Sequence, residues 1–417
     1  MFKCKILFWN VNESSKRVIL QAIKKGSYLL PFFLFITRHN NFVENSIKEI
    51  SIIGAGISGL TLGVILKSYN IPCIIYEKYG SVSEYGAGIS ISPNGAEVLK
   101  SLNIYDDLLK ISAKPNIANF YSNLKKIVEI PTEVLTTSRK SLYKVLYEKY
   151  LFLNGKILFE HELANIDFDK NILYFSNKKN YDFEHIAACD GIKSSCQNLS
   201  SGEIRSPIYS GYSVWRSILP TNQKNINFHL GRNFHIVTYP IDMNRSSFVA
   251  AIKTKAEFSE SWKQKGDYED LRSELPPFII DKFPSLKQSN EIYKWGVYTR
   301  KDINKLFLEN ITFLGDAAHP IVPFIGQGGC LALEDAYVFG MLVSKFKNDF
   351  NKIQIAYQKI RLKRIHQIQL LSERQGLLNH LKNPFLILCR NLIMKYSPVI
   401  SKRVKLVWNY DPMNEIN

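Results

Sequence analysis

The run Ile50-Ser51-Ile52-Ile53-Gly54-Ala55-Gly56-Ile57-Ser58-Gly59 constrains this chain more than any other stretch of it. A short apolar segment enters three glycines. Leu60, Leu62, Val64, Ile65 and Leu66 then follow at helical spacing. Cys73-Ile74-Ile75-Tyr76 reads as a second short strand, closed by Glu77. The order is strand, glycine turn, helix, strand, acid. Glycines at 54, 56 and 59 let the backbone turn tightly and pass close to a pyrophosphate, while the free N–H groups of the helix start point at its charge. Glu77 stands eighteen residues beyond Gly59, where a carboxylate accepts hydrogen bonds from ribose hydroxyls. Glycines alone also suit a bare tight turn. The whole unit points to a dinucleotide and leaves NAD and FAD both open.

The chain has 417 residues, a length that suits two to three domains and a core that needs no metal or disulfide staple. Its 46% hydrophobic and 22% charged residues fit an ordinary globular protein. The net charge of +17 admits nucleic acid, an anionic membrane surface or acidic substrates. The lysines are scattered, so compositional drift is the plain alternative, and no aromatic-basic nucleic-acid module is present. Cys4, Cys73, Cys189, Cys196, Cys330 and Cys389 form no CxxC pair, which predicts free thiols, no metal site and a cytoplasmic setting. Residues 1–46 are an extension of open status: transit-like segment, interfacial anchor, or a start placed too early. The apolar run Tyr28–Ile36 is too short to span a bilayer and holds Pro31.

Further along, 118–130 and 157–175 alternate in strand fashion, with a helix expected over Ser138–Tyr150 between them. The segment 209–253 is strand-rich. Ile311–Leu314 reads as a buried strand before Gly315-Asp316, and Leu331–Phe346 as a long helix. The remainder is helical and amphipathic, broken at Pro384 and Pro398. A dinucleotide unit, a strand-rich insertion and a return to the first unit predict a discontinuous cofactor domain plus a separate sheet domain. We expect 47–115, 136–205 and 296–380 in the first, 116–135 and 206–295 in the second, and 381–417 as a C-terminal helical segment.

Two later motifs discriminate between the nucleotides. One is Cys189-Asp190-Gly191-Ile192-Lys193-Ser194. The other is Gly315-Asp316-Ala317-Ala318-His319-Pro320, continuing through Pro323 to Gly326-Gln327-Gly328-Gly329-Cys330 and Glu334-Asp335-Ala336. With the glycine unit, these make the chain resemble the FAD-dependent aromatic hydroxylases, the para-hydroxybenzoate hydroxylase-like superfamily, near its salicylate hydroxylase, urate hydroxylase and zeaxanthin epoxidase branch. The resemblance covers roughly residues 50–412. It implies an α/β fold: a Rossmann-like FAD-binding domain of the GR2 type, an inserted mixed β-sheet substrate domain and C-terminal helices.

The resemblance implies that Gly54, Gly56 and Gly59 meet the FAD pyrophosphate, and that Glu77, with Lys78 beside it, meets the ribose. Gly86 to Ser90 resembles the loop lying along the flavin. Arg139 matches an arginine at the start of the second cofactor helix, with a solvated helix residue as its alternative. Leu163 lies where backbone touches adenine. Asp190-Gly191 resembles a motif tied to FAD and nicotinamide, although Asp-Gly alone is usually a turn. Asp316 matches the aspartate holding the ribityl chain, and Pro323 the proline beside the flavin ring. Gly326, Gln327, Gly328, Gly329 and Cys330 open a helix whose positive end faces the flavin pyrimidine edge. His319 reads as structural.

The implied chemistry is reduction of FAD by NADH or NADPH, activation of dioxygen at flavin C4a, and hydroxylation of a small aromatic or cyclic substrate. Trp215 and Arg216 are the candidate pocket residues, a core Trp and surface Arg being the alternative; Tyr239 and Arg300 are weaker ones. Gln197 and Thr299 replace an arginine and an acid of the pattern, and Phe324 counts against urate as substrate. Other readings are an FAD oxidoreductase of the same fold without hydroxylation, and a membrane-associated hydroxylase of a prenylated phenol such as a quinone precursor, with Phe385–Met394 in peripheral membrane contact. No Trp-x-Trp-x-Ile halogenase motif is present. Oligomeric state is left open.

Overall fold

The computed structural model describes residues 48–81, 88–201, 207–255, 264–289, 291–300 and 303–416. Expectations on residues 1–46 and on Gly86 and Ala87 therefore lie outside the described residues.

The first sheet is built from distant parts of the chain. Its six strands run, edge to edge, Phe307–Leu308, Ile311–Phe313, His185–Ala188, Ile50–Ile53, Cys73–Tyr76 and Lys156–Leu158. All neighbours are parallel except the first pair. The central strands are buried along their whole length, as short apolar runs sandwiched by helices must be. Helix Ile57–Ser68 packs against helix Gly328–Phe346. A Cβ on Gly340 would stand 2.6 Å from the Ile65 side chain, so the glycine permits the close approach. The stretch 157–175 proves to be a set of strands, not one: Lys156–Leu158 joins the first sheet, while Leu163–Asp167 and Ile172–Phe175 join a small antiparallel one. The helix expected over Ser138–Tyr150 is Arg139–Phe152, with Ser138 as N-cap accepting the Ser141 N–H.

The second sheet has seven strands in the order Tyr293–Thr299, Ile208–Pro220, Arg245–Lys253, Phe234–Pro240, Ile226–Leu230, Ile117–Ser122 and Lys125–Pro131. Neighbours are antiparallel apart from Ile226–Leu230 against Ile117–Ser122. Alternation along each strand gives it two faces. On one, Trp215, Phe234, Ile236, Phe248 and Ala250 form a core with Leu271, Ile279 and Ile280. On the other, Val214, Arg216, Phe228, His235, Val237 and Val249 line a cavity.

Helix Phe350–Asn379 connects the two sheets. The Tyr357 hydroxyl donates to Phe313 O beside the first sheet, while His380 just past the helix end reaches Ala251 O in the second. Two shorter helices follow. Pro384 opens helix Pro384–Tyr396, where a missing N–H costs nothing, and Pro398 caps helix Val399–Trp408. Among the described residues no helix is long and apolar enough to cross a membrane.

Candidate active site

The glycine turn is shaped for a ligand. Gly54 adopts φ +99°, and a Cβ there would lie 2.5 Å from Cys189 O. A Cβ on Gly59 would lie 2.0 Å from Gly54 O, so helix and turn touch backbone to backbone. At Gly56 a Cβ would meet nothing within 4 Å, which leaves the turn open on the side a phosphate would occupy. Helix Ile57–Ser68 has no side-chain cap and no acid in its first turn, so its leading N–H groups remain available to an anion. Glu77 holds this turn from below: Oε2 accepts the Ala55 N–H at 2.7 Å and Oε1 the Tyr79 N–H at 3.0 Å.

Asp190 lies directly against Gly54. Its Oδ2 accepts the Cys196 N–H at 3.1 Å, while its Oδ1 is sequestered with no protein donor. Burial raises its pKa, against the pull of Ser194 and the Cys196 N–H. Such an orphaned acceptor calls for a donor that the protein does not supply. Gln197 donates to Ala317 O at 3.2 Å and so ties this loop to the Gly315–Ala317 turn.

That turn is fixed by a buried charge network. Asp335 Oδ2 accepts the Gly315 N–H at 2.9 Å and pairs with His319 Nε2 at 2.5 Å. Its Oδ1 accepts from Arg361 Nε at 2.7 Å. Glu334 binds Arg361 at 2.8 Å and Arg364 at 3.0 Å. Asn94 Nδ2 donates to Glu334 Oε1 and Gln327 Oε1, and Gln327 Nε2 donates to Ser92 Oγ. His319 is thus held inside the fold, and Asp316 is left exposed at the cavity wall.

The cavity holds about 760 Å³. Ser90, Arg139, Asp316, Pro323, Gly326 and Gly328 line one end, and the second sheet lines the body. A Cβ on Gly328 would meet nothing within 4 Å, and Gly326 adopts φ +65°. The residues present fit FAD: the glycine turn is open at Gly56 and has the orphaned Asp190 oxygen beside it, and an exposed Asp316 and a second glycine-rich helix start line one cavity end.

Several expectations need correction. Trp215 is not a pocket residue. It is 1% exposed on the opposite face of the sheet, where its Nε1 donates to Glu274 Oε2 at 2.9 Å and Lys294 lies over its ring. Adjacent residues of one strand point to opposite faces, and here Arg216 takes the cavity side and Trp215 the other. Arg216 does line it, with NH1 at 3.4 Å from Gly88 O and the guanidinium over Trp295, and burial pulls its pKa down. Arg300 is also not a pocket residue: it donates to Ala317 O at 2.9 Å and Ile192 O at 2.5 Å. The Gln327 amide is spent inside the network, which leaves only its backbone for a ligand. Cys330 is fully buried against Gly95 and Ser92 Oγ, away from the cavity. Leu163 is buried at the start of its strand, and Lys78 is exposed over the Tyr79 ring. Tyr239 lines the cavity.

The sequence reading missed a buried pair. His380 Nδ1 lies 2.7 Å from Gly376 O. His380 Nε2 lies 3.3 Å from Ala251 O and 3.1 Å from His235 Nδ1. The His235 ring lines the cavity beside Phe324. Burial, with His380 next to it, holds His235 well below the usual histidine range, so it stays neutral.

Comparison with known proteins gives the same picture. The family described as FAD binding domain matches residues 48–368. The 3-amino-4-hydroxybenzoate 2-monooxygenase PtmB3 of Streptomyces platensis is 24% identical over 356 residues, covering 80% of this chain and 89% of that protein. The 3-hydroxybenzoate 6-hydroxylase of Klebsiella oxytoca is 23% identical, covering 79% and 88%. The crystal structure of Klebsiella pneumoniae HpxO with FAD and uric acid superposes with a TM-score of 0.75 at 20% identity, covering 87% of this chain and 96% of that one. The chain belongs to this FAD-binding family and is a flavoprotein monooxygenase.

Proposed function

We propose that this chain hydroxylates a small phenolic ring, with NADH or NADPH as the electron donor. The reading rests on one observation: the glycine-rich cofactor end and the polar side of the second sheet, with Arg216 and His235, open into the same cavity. FAD, when bound, accepts hydride and activates dioxygen. The residues of the chain do the rest. Gly56, Glu77, Asp190 and Asp316 would hold the cofactor, together with Arg139, Pro323 and Gly326–Gly329 at the cavity end. Arg216 offers a guanidinium to phenolate or acid oxygen. The neutral His235 ring accepts the hydrogen of a ring hydroxyl, which enriches the ring in electrons where oxygen must attack. Val214, Val237, Val249 and Phe228 exclude water from the reaction. The same proposal takes 47–115, 136–205 and 296–380 as the cofactor domain and 116–135 with 206–295 as the substrate domain, in a cytoplasmic protein.

Purified protein should be yellow with releasable FAD. Phenols should accelerate anaerobic bleaching of the flavin by NADH or NADPH, and under air the product should gain one oxygen atom by mass spectrometry. Failure of a broad panel of phenols and aromatic acids to change the bleaching rate would overturn the reading.

A second reading, peripheral membrane contact, is favoured by the outer face of helix Pro384–Tyr396. Phe385, Leu388 and Tyr396 there are 69%, 54% and 72% exposed. Co-sedimentation with anionic vesicles tests it, and protein that stays in the supernatant with them counts against it.

A further inference from the structure

Helix Pro384–Tyr396 carries its polarity inside out. Its one buried residue is Arg390, 6% exposed, and Arg390 lines the cavity. The guanidinium donates to Leu378 O at 3.1 Å, Ser122 Oγ at 3.3 Å and Asn391 Oδ1 at 2.9 Å. All three acceptors are neutral. Buried arginines are ordinarily matched by a carboxylate, as Arg361 and Arg364 are by Glu334. Here burial alone lowers the pKa to about 10, and nothing raises it.

The surroundings supply no counter-charge. From Gln375 to Tyr410 the sequence has six basic residues and no acidic one. Among the described residues lining the cavity, Asp316 is the sole carboxylate, against Arg139, Arg216, Arg390 and Arg403. Asp316 belongs to the cofactor end, whereas Arg390 sits on Ser122 across the second sheet. A buried charge held only by neutral groups is costly, and an anionic ligand offsets that cost.

The register of the sheet places this charge relative to the chemistry. His235 is directly opposite Leu230, and Leu230 directly opposite Ser122. The three therefore share one face. Two inter-strand steps put the Ser122–Arg390 corner about 10 Å from the His235 column. Phe120 and Phe228, stacked with ring centroids 4.6 Å apart, belong to the same face and line the cavity.

We infer that Arg390 is an anion-binding subsite, and that the substrate is a hydroxyaryl compound bearing a carboxylate or similar oxyanion on a side arm. The ring hydroxyl meets His235, the arm crosses the apolar floor, and the oxyanion takes Arg390. The ring end rests on the hydroxylase reading; the anion site does not.

The test is equilibrium binding to FAD-loaded enzyme of 4-hydroxyphenylacetate, 3-(4-hydroxyphenyl)propionate and 4-hydroxycinnamate, each against its primary amide. Wild-type protein should prefer at least one acid over its amide by about tenfold or more, the scale of charge-assisted hydrogen bonds. Arg390→Met should abolish that preference and Arg390→Lys should keep part of it. The melting temperature of Arg390→Met should hold or rise, because the charge it removes is uncompensated. Equal binding of acids and amides by the wild type overturns the inference, as does an acid preference that survives in Arg390→Met. Should the Met variant unfold, the wild-type ratio and the Lys variant still decide. Acid preference without faster flavin bleaching keeps the anion site and removes the hydroxylase reading. Faster bleaching with no acid preference does the reverse.

Discussion

Replacing Asp335 by Asn should cost both stability and FAD, and the structure sets the size of the effect. Asp335 is fully buried. Burial on its own raises its pKa, but His319 and Arg361 outweigh it, with help from the Gly315 N–H, and hold it at about 2 against an ordinary 3.8. At ~1.36 kcal/mol per pH unit, that gap is worth ~2.4 kcal/mol at neutral pH. The folded pKa is depressed. The contribution is therefore complete above pH 3.8 and is lost as pH falls from there towards about 2. Glu334 still pairs with Arg361 in the variant, so the loss should stay near ~2–3 kcal/mol, below the usual range for a severed buried pair. The assay is thermal melting of apo and FAD-loaded protein at neutral pH and at pH 4, with a parallel FAD titration. The variant should melt several degrees lower at both pH values. It should also bind FAD more weakly, because the Gly315 N–H is Asp335's anchor on the turn that presents Asp316. Wild-type melting with wild-type FAD affinity would show that the network does not position the cofactor turn.

Two glycine variants should separate fold from ligand. Gly59→Ala drives a Cβ to 2.0 Å from Gly54 O and should lower the melting temperature of the apo protein. Gly56→Ala meets no protein atom and should leave that temperature unchanged while weakening FAD binding in a titration. Trp215→Phe should lose the bond to Glu274, about 1 kcal/mol in denaturant unfolding, with little change in substrate-stimulated flavin bleaching; Arg216→Met should do the opposite. His235→Phe should slow the response of bleaching to phenols and not to their methyl ethers, measured by stopped flow. Equal loss with both would remove its role as hydrogen-bond acceptor.

The parts of this molecule that were legible in its sequence are those whose chemistry is local. Gly54 to Gly59 needs small residues at fixed spacing because the chain turns within that span, and the glycines appear there as Gly54's φ of +99° and Gly59's contact on Gly54. The Asp316 turn was legible for the same reason. What the sequence could not show is which side of an element faces the cavity. Trp215 and Arg216 take opposite faces of one strand, and which of them meets the cavity depends on helices at 268–280 that cover the far face. Gln327 and Cys330 fail similarly: both lie at the right helix start, but each side chain turns into Ser92 or Asn94, more than 230 positions away in sequence. The residues missed entirely are pairs made by the fold. His235 and His380 stand 145 positions apart, and Arg390 and Ser122 stand 268 apart. One signal was available. Once Arg216 is set on the cavity face, the antiparallel register carries that face to Val249 and Val237, and so to His235 two residues along. The strand-rich segment held His235 in plain view, but its parity needed a partner strand to give it direction.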